Sequence, residues 1–87
     1  MPSINYWTNR KGKRIVVRNI NVLLTKFIGQ KLNPVDELFK NMKKVVVKYF
    51  DSNPQHLKYF LNGNEPFDYN FEVEEKGGYI TKCYFES

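Results

Sequence analysis

The residues with the most evident chemistry are cations. Residues 9–14 read NRKGKR and set Arg10, Lys11, Lys13 and Arg14 around Gly12, with Arg18 four residues further on. Guanidinium and ammonium groups this close together neutralise phosphates, and arginine adds bidentate contacts and stacking. A second set lies at Lys40, Lys44 and Lys48, at four-residue spacing, with Lys43 beside it. On a helix that spacing makes one stripe, which its own like charges slightly destabilise. Trp7 precedes the first cluster. Exposed, it would stack on a base; buried, it would anchor the small core.

Other chemistries find few residues. The chain has one Cys and one His, too few for a structural zinc site with four N or S ligands. Cys83 and His56 could pair as nucleophile and base. The spacing instead puts Cys83 on the apolar face of a strand, where a thiol acts as a small hydrophobe, and leaves His56 as a surface residue. Glu72, Glu74 and Glu75 read as a solvated strand face, and Asp36 and Glu37 as first-turn helix residues. Gly77-Gly78 belongs to no phosphate-binding loop pattern. No catalytic residue, metal or cofactor is therefore expected. The aromatic consensus of RNA-recognition strands, a GXXG clamp and paired Cys/His spacing are also absent.

The elements that must carry these residues follow from periodicity. Residues 5–8 and 14–18 read as strands, the second rich in β-branched residues, which makes NRKGKR a hairpin tip with Gly12 in its turn. Asn21 is a candidate N-cap for a helix over residues 22–32. A longer helix follows from Pro34 to Phe50, with Val35, Leu38, Phe39, Met42, Val46 and Tyr49 in its apolar stripe. The run Val45-Val46-Val47 leaves a strand over residues 43–50 as the alternative. Asn53-Pro54 restarts the chain as a short helix that ends at Asn62-Gly63. Residues 67–74 alternate strictly, with Phe67, Tyr69, Phe71 and Val73 on one face. Gly77-Gly78 turns the chain into a strand over residues 79–85, whose inner face is Tyr79, Thr81, Cys83 and Phe85. The expected fold class is α+β, a single domain over residues 1–87. It has the order ββ-ααα-ββ, an antiparallel sheet of two hairpins with helices on one face.

Charge supplies the functional direction. Residues 1–60 hold twelve Lys or Arg and three Asp or Glu, a balance of +9, whereas residues 61–87 hold two Lys and six acids, a balance of −4. A hydrophobic content of 41% with 16% aromatics marks a folded chain. A single cysteine excludes an internal disulfide, and no apolar stretch reaches signal-peptide or membrane-spanning length, so no membrane partner and a cytoplasmic location are expected. The expected function is that of a small basic accessory protein, of a kind phages encode. It would bind RNA rather than DNA through Arg10, Lys11, Lys13, Arg14, Arg18, Lys40, Lys43, Lys44 and Lys48. The alternative is an inhibitor or adaptor, such as a phage factor that blocks a host enzyme or defence by docking on its acidic surface. Self-association of the basic body with the acidic C-terminal hairpin of another copy is a further expectation.

Overall fold

Val16, Ile20, Leu24 and Phe27 recur at three- and four-residue spacing, and that stripe decides the first element. In the computed structural model, residues 4–60 and 69–86 are described, the backbone alone for residues 4–9. Helix α1 runs unbroken over Ile4–Leu24, and a 3₁₀ turn, Thr25–Phe27, carries its buried stripe one step further. The expected first hairpin is thus overturned. Residues 5–8, NRKGKR and residues 14–18 are all helical. The β-branched run 15–17 favours a strand only weakly, and burial of Val16, Ile20 and Leu24 along one helical face overrides it. The expected helix over residues 22–32 is overturned for the same reason, because residues 22–24 complete α1. Asn21 is no N-cap. It lies inside α1, and its Oδ1 accepts a hydrogen bond from the Phe85 N–H at 2.6 Å.

Helix α2 spans Val35–Ser52, so the strand alternative for residues 43–50 is excluded. Leu38, Met42, Val46 and Phe50 follow one another at four-residue intervals and are buried. Asp36 and Glu37 occupy the first turn, where the positive end of the helix dipole favours them. The last turn holds no basic residue, so the dipole does not explain the lysines. Asn53 closes α2: its N–H and its Nδ2 both donate to the Tyr49 carbonyl, at 2.9 and 3.0 Å. Pro54 then opens a 3₁₀ helix, Pro54–Tyr59. The expected helix end at Asn62-Gly63 and strand start at Phe67 lie outside the described residues.

The C-terminal hairpin forms as its alternation requires. Strand β1, Asn70–Lys76, pairs antiparallel with β2, Tyr79–Glu86. Gly77 and Gly78 both have positive φ, 62° and 87°, as a two-residue hairpin turn of this hand demands. One detail departs from the expected register. Glu74 faces Lys82 but Glu75 faces Ile80, so Thr81 is an extra residue that bulges from β2. The bulge inverts the alternation. Ile80 joins Cys83 and Phe85 in the core, while Tyr79 and Thr81 are exposed. Residues 29–32 run along the start of β2 and exchange Gly29 N–H to Ile80 carbonyl (2.7 Å) and Ile80 N–H to Gln30 carbonyl (2.8 Å).

The chain is therefore α+β, with both described strands after the helices and not on either side of them. One core joins the layers: Val16, Ile20 and Leu24 of α1, Met42 and Val46 of α2, and Ile80, Cys83 and Phe85 of β2. Phe71 is half-buried at its margin, between Phe85 (ring centroids 5.7 Å) and Phe39 (6.3 Å).

Candidate nucleic-acid interface

Helix geometry sorts the nine expected cations. Along α1, Arg10, Arg14 and Arg18 recur at four-residue spacing on the side away from Val16, Ile20 and Leu24. They share one surface depression with Lys11 and Ile15. Arg14 and Arg18 also border a second depression, which continues along the helix past Val17, Asn21 and Val22 to Thr25. The helix contains no Asp or Glu, so no neighbour in register neutralises this row.

Lys13 does not belong to it. It lies three residues before Val16 on the core-facing side, and its Nζ stands 5.4 Å from the centre of the Phe60 ring. The α2 lysines are likewise divided. Lys40 and Lys44 share a depression with Asp36, Glu37 and Asn41, where the carboxylates offset them. Lys48 lines a groove with Lys26, Leu23, Val45 and Tyr49. Lys43 leans over the Tyr69 ring at 4.9 Å. Arg10, Lys11, Arg14 and Arg18 are thus the cations that one depression on α1 brings together, without a carboxylate among its described lining. The side chain of Trp7 lies outside the described residues.

Gly12, expected in a turn, has a different task. A Cβ placed on it would collide with the Tyr59 ring. The glycine is where the 3₁₀ helix comes flush against α1. Its place among the cations reflects packing on a neighbouring side of the same helix.

Neither residue of the conceivable Cys83–His56 pair is placed for nucleophilic work. The Cys83 thiol is buried and donates to the Leu24 carbonyl at 3.2 Å, and burial raises its pKa above the ordinary thiol value. His56 is half-buried, where sequence reasoning expected a surface residue. Its Nδ1 is 2.8 Å from the Tyr49 hydroxyl, which accepts from Asn19 Nδ2 at 3.2 Å. This chain ties α1, α2 and the 3₁₀ helix together, and the i to i+7 spacing of Tyr49 and His56 across Asn53-Pro54 was its one sequence signal. Among the described residues, no group of three or more His, Cys, Asp or Glu could hold a metal ion. No described helix is long and apolar enough to cross a membrane.

The outward face of the hairpin carries the opposite sign. Phe71, Val73, Cys83 and Phe85 turn inward, so Glu72, Glu74, Tyr84 and Glu86 turn outward. Partial burial, and then the charges of Glu72, Glu86 and Glu74, raise the Tyr84 phenol above its ordinary pKa. Two cations share this face: Lys82, opposite Glu74 with Nζ 5.9 Å from the Tyr84 ring, and Lys76, two residues beyond Glu74 on β1.

No family model, curated protein or solved structure matches the chain.

Proposed function

We propose that the protein binds nucleic acid through the outward face of α1, by contacts to phosphates. The observation that carries this reading is the row Arg10, Arg14, Arg18, with Lys11 beside it, on a helix without a carboxylate. Each like-charge pair at that spacing costs the helix about 0.2–0.5 kcal/mol. Successive arginines stand about 6 Å apart along the axis, one to a turn. A row of phosphates relieves the repulsion and uses the spacing. The expectation of RNA rested on an irregular hairpin tip. A regular helix face gives it no preference, so titration with RNA, single-stranded DNA and duplex decides among them.

Four phosphates neutralised on a single strand give a log–log salt slope of about −2.8, and a fourfold rise in salt then weakens binding about 50-fold. Replacing Arg14 and Arg18 together by Gln should halve the slope to about −1.4 and weaken binding to all sequences alike. Anisotropy titrations across a salt series measure this, with circular dichroism to show that the variant folds. No binding by the wild type at low salt, or an unchanged slope in the variant, defeats the proposal.

One observation favours a protein partner as a second reading. Ile15 and Val22 are 48% and 65% exposed beside the cations, and a phosphate backbone has no use for them. An inhibitor or adaptor docking on an acidic surface with apolar patches would use both kinds of side chain. Pull-down from lysate with and without nuclease separates the two, since a direct protein partner survives digestion.

A further inference from the structure

The core fixes where the two charged faces lie. Helix α1 turns Val16, Ile20 and Leu24 inward against Ile80, Cys83 and Phe85, and leaves Arg10, Arg14 and Arg18 exposed beside that stripe. The hairpin turns the same inner residues toward α1, so Glu72, Glu74 and Glu86 point away from the helix. The two exposed rows lie on different elements, α1 and the hairpin.

Their spacing nevertheless corresponds. Arg10 to Arg18 spans about 12 Å along the helix axis, in two steps of about 6 Å. Glu74 and Glu72 are two residues apart on β1, and Glu86 pairs with Asn70, two residues further along. The three carboxylates therefore span about 14 Å along the strand, in two steps of about 7 Å. Apolar groups accompany both rows: Ile15 and Val22 on the helix, the half-buried Tyr84 on the hairpin.

We propose that the outward face of α1 docks on the outward face of the β1–β2 hairpin of a second copy, with Arg10, Arg14 and Arg18 against Glu72, Glu74 and Glu86. The contact joins two different surfaces, so it is heterologous, and the pair retains one unused face of each sign. Growth then proceeds head to tail, into a ring if the rotation closes and a filament if it does not. The inference goes beyond the nucleic-acid reading and does not rest on it.

The test uses the full chain freed of nucleic acid by nuclease and high-salt washing, checked by absorbance ratio, in sedimentation velocity over a concentration series. Association is expected at about 0.1 M salt, where the screening length is about 10 Å, and its loss at about 1 M, where it is about 3 Å. Two surface variants then decide the geometry. Arg14→Gln with Arg18→Gln disables the helix face, and Glu72→Gln with Glu74→Gln disables the hairpin face. Each alone should sediment as a monomer, with unchanged circular dichroism. An equimolar mixture should form a dimer that grows no further, because each variant retains the face the other lacks. Wild type that stays monomeric at low salt overturns the proposal, as does a mixture that stays monomeric. A variant that associates like wild type overturns it too and points to a contact that uses one surface twice.

Discussion

Gly12 and Cys83 show how a residue's neighbours determine what it does. Glycine inside a helix costs about 0.5–1 kcal/mol relative to alanine, and at position 12 the Tyr59 ring leaves no room for a Cβ. Gly12→Ala should therefore destabilise the protein by about 1–3 kcal/mol, the usual range for overpacking. In a Tyr59→Ala background the same substitution should stabilise by about 0.5–1 kcal/mol. Urea melts of the four proteins give both signs, and an alanine that stabilises both backgrounds would refute the contact. The sequence permitted the misreading because a glycine among polar residues marks a turn unless a ring from elsewhere requires the space. Cys83 was legible, since the alternation of its strand marked it as apolar. Its thiol holds its proton more tightly in the folded chain than in the unfolded one. The stability that depends on this is full below the unfolded thiol's pKa, about 8.5, and is lost as pH rises beyond it. A thiol reagent at pH about 8 should react only after denaturation, and Cys83→Ala should flatten the fall in stability as pH rises beyond about 8.5.

Among the elements, the hairpin was readable and α1 was not, for contrasting reasons. Strict period two over residues 67–74 has one interpretation, and two glycines at the turn fix the hand. Residues 14–18 satisfy a strand by propensity and a helix by period, and the period becomes decisive only when Ile20, Leu24 and Phe27 are counted with Val16. Helix α2 resolved correctly because Leu38, Met42, Val46 and Phe50 extend the stripe across its own β-branched run. The bulge at Thr81 left no trace in the composition, yet it decides which residues of β2 are core. Phe71 stood at the centre of the alternating face, but burial shifts the weight to its cross-strand partner. Phe85 is 1% exposed, and Phe85→Ala should cost about 3–5 kcal/mol, most of the stability of a domain this size. Half-buried Phe71→Ala should cost about half as much. Denaturant midpoints of the two variants measure the order, and equal midpoints would contradict the described register.

At the scale of the whole molecule, charge was the most legible property and its distribution in space the least. The +9 and −4 balances are plain in the sequence, but only the fold removes Lys13 and Lys43 to aromatic rings and sets Lys40 and Lys44 beside carboxylates. The arginine row stays together on one face of α1, which nucleic acid and a second copy must share if both bind there. Adding single-stranded oligonucleotide to the associated protein at low salt should therefore return the sedimentation profile to one chain per complex. Oligonucleotide carried on undissolved assemblies would assign the two ligands to different surfaces. A last consequence concerns synthesis. The bonds that seat β2 on α1 join Asn21 to Phe85 and Leu24 to Cys83, across 64 and 59 residues. At 5–20 residues per second the ribosome needs roughly 3–12 s to make the intervening chain. Throughout that interval the apolar stripe Val16, Ile20, Leu24 has emerged without the strand that covers it, on a helix that is marginal by itself in water. Until β2 arrives, α1 is an amphipathic cationic helix without its strand, and its first encounters in the cell are made in that state.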